Sequence, residues 1–405
     1  MKTLSIICFS WIILCLHAPG AESDTSKIKG RLFLDGKEIT INIAGSRIVS
    51  IVRSVSPDTP AFYVAPGLID MQINGYLGVD FSEQNLTPQR IREAMAGLYQ
   101  EGVTSFLPTI ITNHPDSLLH SVKLLAAALH EKDIGLSVPG FHLEGPYISP
   151  LPGYRGAHLE KYIRPPDWNE FSALQEAAGH GIRLITLAPE VPGALDFIHR
   201  CKEAGVLVSL GHHNGTADII KQAADSGATL STHLGNGCAN LINRHDNPLW
   251  PQLAEDRLTI TLIADGFHLN ADEVVCFYRI KGAERTVLVS DALDLAGLPP
   301  GEYTRGERKV IVTPGVVRYP AENVLAGAVS PLTTGISNMM KFTGCSLAQA
   351  IQMASANPAR LLRLEDRGEI EPGKRADLIL FTVEDGRIII QQTIVAGKIV
   401  YTSEK

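Results

Sequence analysis

The sequence predicts an α/β fold: a (β/α)8 barrel of the TIM type, with a small β-sandwich built from both termini. Three observations predict it. Through the middle of the chain, eight short apolar runs alternate with amphipathic segments, the pattern of parallel strands joined by crossover helices. Five polar residues capable of chemistry, Gln72, Glu144, His212, His233 and Asp291, fall at the ends of such runs. In these barrels the C-terminal strand ends form the reactive face. Both chain ends instead carry short alternating runs separated by turn residues, which read as antiparallel strands.

Length and composition fit that architecture. A chain of 405 residues can bury one large core and a smaller one. With 45% hydrophobic and 20% charged residues, it has the composition of an ordinary globular enzyme. A net charge of -7 argues against nucleic acid or an anionic membrane surface as a partner. No short tandem repeat or low-complexity tract is visible.

The N-terminus stands apart. Lys2, the apolar run Leu4 to Leu16 and the stretch His17-Ala-Pro-Gly-Ala21 read as a secretory signal peptide over residues 1–21, cleaved near Gly20 or Ala21. The run is too short to span a bilayer, so no stable membrane span is expected in the mature protein. Export to a periplasmic or extracellular space follows, or a cytoplasmic location if the leader is not one. Cys8 and Cys15 would leave with it. Cys201, Cys238, Cys276 and Cys345 are widely spaced with no CxxC pairing, so buried apolar cysteines are expected, and whether any two pair stays open.

In chain order, Gly30–Leu34, Glu38–Ile43 and Arg47–Val52 read as strands divided by turns at Asp35-Gly36 and Gly45-Ser46. The first part of the sandwich is thus placed at residues 28–65. The barrel, residues 66–366, takes its strands from Gly67–Gln72, Thr104–Thr109, Leu136–Glu144, Ile182–Leu187, Val206–His212, Thr229–His233, Leu258–Ile263 and Thr286–Ser290. Its helices are Pro88–Gln100, Pro115–His130, Asn169–Ala178, Ala194–Ala204, Thr216–Asp225 and Asp272–Ile280, followed by Pro331–Thr343 and Ser346–Ala356. The rest, residues 367–405, returns to the sandwich with strands at Ala376–Phe381, Gly386–Gln391, Thr393–Ala396 and Lys398–Tyr401.

Glu144 closes its strand just before Gly145-Pro146, which stop it abruptly. A carboxylate at the end of a buried strand is costly unless something pairs with it. His212 and His233 close two later strands. One carboxylate and two imidazoles make a three-ligand site for a divalent metal with one position open. Zinc is the favoured ion, and iron, cobalt or manganese also suit the set. Asp291, closing the eighth strand, can take a proton from a water and later return it to a departing amine. His142 shares the face of Glu144 one layer deeper, and His213 points to the other side of its strand; both read as structural.

With these residues placed, the chain resembles the amidohydrolase superfamily, and within it the deacetylases of phosphorylated N-acetyl amino sugars. The likeness rests on "APGLIDMQINGYLGVDF", "LPTIIT", "FHLEGPYIS", "RGAH", "LGHHNGT", "THLGNG", "IADGFH", "VSDALDLAG", "LAGAVSPL" and "IEPGKRADLILF", in that order from about residue 28 to the end. It implies removal of acetate from N-acetylglucosamine 6-phosphate, with Glu144, His212 and His233 on the metal and Asp291 as base and acid. Most of the superfamily carries a His-x-His pair where this chain has Gln72 and Asn74; the resemblance therefore implies one metal rather than two. It also places Gln72, His158, Asn236, Gly237, His268 and Ala326 around the sugar and its phosphate. Arg244 is placed on phosphate across a homodimer interface. Two alternatives stay open: the same chemistry on an unphosphorylated or different N-acyl substrate, and a non-catalytic binding protein.

Overall fold

The computed structural model describes residues 25–53, 61–322 and 324–404. The expected leader, residues 1–21, lies outside them. Among the described residues no helix is long and apolar enough to cross a membrane.

The barrel strands are β1 (Leu68–Ile73), β2 (Val103–Ile111), β3 (Phe141–Glu144), β4 (Ile182–Leu187), β5 (Leu207–Leu210), β6 (Leu230–Ser231), β7 (Thr259–Leu262) and β8 (Thr286–Leu288). Each pairs in parallel with the next. Between β8 and β1 the ladder thins to a bridge from Ile73 to Ala292. Backbone bonds from Asp291 N to Gln72 O (2.9 Å) and from Asn74 N to Ala292 O (2.8 Å) complete the closure. Asp70 staples the seam, its Oδ1 accepting from the amides of Gln72 and Ser290 at 3.2 Å each.

The helices outside follow from local sequence. Pro88–Gln100 starts with proline in its first turn and with Thr87 accepting from the Arg90 amide, as helix starts prefer. Its buried face is Ile91, Ala94, Met95 and Leu98, a three-and-four spacing that makes one stripe. Ala271–Lys281 begins with a capping box between Asn270 and Glu273.

Both termini build one seven-stranded sheet. The strand Tyr63–Pro66 joins them, parallel to Thr25–Leu32 and antiparallel to Leu378–Glu384. The remaining strands are Glu38–Ala44, Arg47–Arg53, Arg387–Val395 and Lys398–Thr402. The far turns of the sheet meet, since a Cβ on Gly397 would lie 2.2 Å from the Gly45 carbonyl oxygen. Ile39, Ile41, Ile43, Leu378 and Ile394 fill the space between. At the seam with the barrel Arg375 donates to both oxygens of Asp377, Nε lying 2.9 and 2.8 Å away.

Several boundaries differ from the sequence reading, three of them because an element changes type, merges or splits. The run expected as a strand from Leu136 begins as helix Lys132–Ser137; Pro139 forces Val138 out of the helical region, and the strand restarts at Phe141. Gly386–Gln391 and Thr393–Ala396 are one strand, with a ladder irregularity between the pairs Leu380–Gln392 and Phe381–Ile390 that skips Gln391. The helix expected over Ser346–Ala356 stops at Gln352, and a second helix runs over Ala356–Leu361.

The largest of the elements not anticipated is a sheet; a short helix, Leu249–Ala254, was missed as well. After β8 the chain forms a four-stranded antiparallel sheet from Gly301–Arg305, Arg308–Thr313, Val316–Tyr319 and Val324–Leu325. It has its own core of Val310, Val312, Val317 and Tyr319 against Leu293 and Leu295. The turn Thr313-Pro314-Gly315 between valine pairs was the sequence signal for it. Of the four cysteines expected to be buried, only Cys201 is; Cys238 and Cys345 are half-buried, Cys276 is exposed, and all four are free.

Candidate active site

The C-terminal strand ends bring Glu144, His212, His233 and Asp291 together as the sequence predicted. Glu144, His212 and His233 are all buried, and one ligand atom of each lies within 4.8 Å of the others. His212 Nε2 stands 3.2 Å and His233 Nε2 3.0 Å from the same oxygen, Glu144 Oε1. Gln72 Nε2 bridges the two carboxylates, 3.0 Å from Glu144 Oε1 and 3.2 Å from Asp291 Oδ1. Asn74 Nδ2 donates to the same Asp291 oxygen at 2.7 Å. Three of these residues hold left-handed backbone, His212 at φ 52, His233 at φ 29 and Asp291 at φ 49. Non-glycine residues are held there only when their surroundings over-determine them, and such strain gathers at functional sites.

Two glycines shape the pocket around His212. A Cβ on Gly237 would lie 2.8 Å from His212 Nδ1, and one on Gly156 2.9 Å from its Cε1. The ring is further fixed by Nδ1 facing the Tyr154 carbonyl at 3.0 Å and by edge contacts with His158 and His233.

That hydrogen bond decides what the cluster can hold. With Nδ1–H given to Tyr154, a neutral His212 turns the lone pair of Nε2 toward a carboxylate oxygen. Lone pair against carboxylate repels unless a cation lies between them or the ring is protonated. A Glu-His-His donor set at this spacing therefore fits a divalent ion. Burial pushes the Glu144 carboxyl up, but the two imidazoles outweigh it and hold it well below the carboxylate range. Asp291 goes the other way: burial and the Glu144 charge raise it, a direction that suits proton acceptance.

The cluster opens into a cavity of about 530 Å³. His158, Asn236, Gly237, His268 and Ala326 line it, as expected. His158 is pushed down to about 3 by burial and then by His212, so its ring is neutral; its Nδ1 has no partner among the described residues. His268 Nδ1 is 2.8 Å from Asp265 Oδ2. Arg244 is different: it is exposed and does not line this cavity, and its backbone carbonyl accepts from Trp250 Nε1. His142 is buried between hydroxyls, Nδ1 3.3 Å from Thr109 Oγ1 and Nε2 2.8 Å from Thr186 Oγ1.

Sequence reasoning missed the far wall, where the inserted sheet contributes Arg305, Arg308, Arg318 and Tyr319. It also missed Asn74 as a donor to Asp291, having read it only as a vacant metal position.

Comparison with known proteins agrees with this geometry. Residues 63–400 match the model of the amidohydrolase family. N-acetylglucosamine-6-phosphate deacetylase of Homo sapiens is 35% identical over 353 residues, 84% of each chain. N-acetylgalactosamine-6-phosphate deacetylase of Escherichia coli O157:H7 is 34% identical, over 83% of this chain and 87% of that one. Among solved structures, N-acetyl-D-glucosamine-6-phosphate deacetylase of Mycobacterium smegmatis, an alanine variant in complex with N-acetyl-D-glucosamine-6-phosphate, superposes with a TM-score of 0.84 at 29% identity, covering 93% of this chain and all of that one. A barrel closed at Asp70, a Glu-His-His cluster at its strand ends and these likenesses agree: the chain belongs to the amidohydrolase family, in its group of N-acetylhexosamine-6-phosphate deacetylases.

Proposed function

We propose that the protein hydrolyses N-acetylglucosamine 6-phosphate to glucosamine 6-phosphate and acetate. The observation that carries the reading is the convergence of Glu144, His212 and His233 beside Asp291, in a chain whose relatives act on such substrates. Glu144, His212 and His233 would hold one divalent ion, which we take to be zinc. When bound, such an ion polarises an amide carbonyl and lowers the pKa of water to about 7.

The chain's own residues supply the rest. Asn74 and Gln72 both direct their amide hydrogens at Asp291 Oδ1, which leaves Oδ2 to take a proton from the attacking water. Asp291 then returns that proton to the nitrogen of the departing amine. Gln72 and Asn74 occupy the place of a second ligand pair and are poor ligands for zinc, which supports one ion per chain. His158, Asn236 and His268 hold the sugar, Gly237 and Ala326 let it approach closely, and His268 takes the phosphate with the help of Arg244 from a second copy in a homodimer. Sedimentation of the purified protein tests the dimer. Export by way of residues 1–21 belongs to the same proposal, and N-terminal sequencing of the mature protein tests it.

The experiment that tests the function is acetate release from N-acetylglucosamine and N-acetylgalactosamine, each with and without the 6-phosphate. The phosphorylated glucosamine derivative should be turned over fastest. No acetate from any of the four would refute the reading.

A further inference from the structure

Three arginines stand on the inserted sheet at the cavity wall, and their surroundings differ. Arg305 is consumed by carboxylates, with Nε 2.8 Å from Asp294 Oδ1 and Nη2 2.7 Å from Asp80 Oδ2. Arg318 is exposed, on the strand face opposite the buried Val317 and Tyr319. Arg308 is neither consumed nor free to swing. Its guanidinium lies 3.7 Å over the ring of Tyr319, itself 1% exposed.

Among the described residues, only Nη1 of Arg308 has a hydrogen-bond acceptor. Nη1 donates to the Ala157 carbonyl and to Glu322 Oε2, both at 3.2 Å. Nε and Nη2 have no acceptor among the described residues. The Ala157 bond ties the group to the loop that carries His158, the residue in edge contact with His212. A planar cation held by stacking, with spare donors beside a cavity, is built to receive an oxyanion. In a chain of net charge -7, such a group does not belong to a generally basic surface.

We infer that Arg308 binds the phosphate of the substrate from within the same chain, so that phosphate recognition does not depend on His268 and Arg244 alone. The inference rests on the reading that the substrate is phosphorylated. Arg308 sets specificity, while the proton transfer belongs to Asp291.

The test compares kcat/KM on N-acetylglucosamine with and without the 6-phosphate for wild type, Arg308→Gln, Arg308→Lys and Lys309→Gln. Inorganic phosphate serves as a competing inhibitor in each. Arg308→Gln should lower the preference for the phosphorylated sugar at least tenfold and weaken phosphate inhibition in parallel. Lysine, a point charge without the fork, should restore only part of it. Lys309→Gln, on an exposed neighbour, should change neither. Should wild type prefer the phosphorylated sugar and Arg308→Gln keep that preference, Arg308 is not the phosphate residue and the function stands. An equal loss on both sugars would make Arg308 structural and overturn the inference. A wild type indifferent to the 6-phosphate would defeat the substrate reading and this assignment together.

Discussion

Two of the places where this molecule buries ionisable groups do so in opposite ways. At the seam between the sheet and the barrel, Arg375 and Asp377 form a pair whose side chains are 7% and 2% exposed. The aspartate has further partners, since Asp377 Oδ1 also accepts from the Ala396 amide and its carbonyl from Gly67. At the other end of the strands, Glu144 is buried and Asp291 half-buried, and neither is paired with arginine or lysine among the described residues. They face imidazoles and amides, and His212, His233 and Asp291 are held at positive φ. A satisfied pair holds architecture together. A cluster short of positive charge, kept that way by surrounding structure, is prepared for a cation and for proton transfer.

That contrast can be broken or sharpened by substitution. The largest effect belongs to Asp291→Asn, which keeps the shape and removes the proton acceptor. Turnover should fall by about 10³-fold or more, with metal content unchanged. A rate within tenfold of wild type would remove Asp291 from its role.

Next comes Asp377→Ala, which leaves Arg375 buried without its partner. Unfolding free energy should fall by about 3–5 kcal/mol, measured in denaturant, while kcat/KM of the folded fraction changes little. Loss of rate without loss of stability would reverse the roles of the two regions.

A smaller and pH-dependent effect belongs to Asp70, the carboxyl that closes the barrel. Burial raises it to about 7, above its unfolded value, so between about pH 4 and 7 the folded state binds more protons. Stability should therefore decline with rising pH across that window, by at most about 1.4 kcal/mol per unit from this group. Asp70→Asn should gain on wild type from pH 4 to pH 7 in paired unfolding curves. A constant difference would show that Asp70 does not titrate as described.

The smallest effect is that of Gly237→Ala. The residue sits at φ 60 with His212 Nδ1 2.8 Å from where its Cβ would be, so the ring must shift. A loss of about tenfold in kcat/KM with only a modest drop in Tm should follow; a large drop in Tm with full activity would place Gly237 with the architecture instead.

The barrel and its four central residues were legible in the sequence because strand ends carry their own signal. An apolar run closing on Glu144, His212, His233 or Asp291 has few structural explanations. Strand lengths were less legible. Where Pro139 split an apolar run, helix and strand looked alike, and the skipped Gln391 looked like a break between strands. The wall holding Arg308 was invisible for another reason. An arginine in an alternating stretch reads as a solvated charge, and only the folding of the insert over the cavity brings it to Tyr319 and Ala157. Asn74 was seen as a lost ligand, but its bond to Asp291 needed three dimensions.

Under the proposed function, one cation held by Glu144, His212 and His233 works with Asp291 on an acetamide. Metal content per chain, measured alongside acetate release before chelation, after it and after reconstitution, tests this most directly. One divalent ion per chain is expected, with activity lost when the ion is removed and regained when it is restored. Full activity in metal-free protein would contradict it.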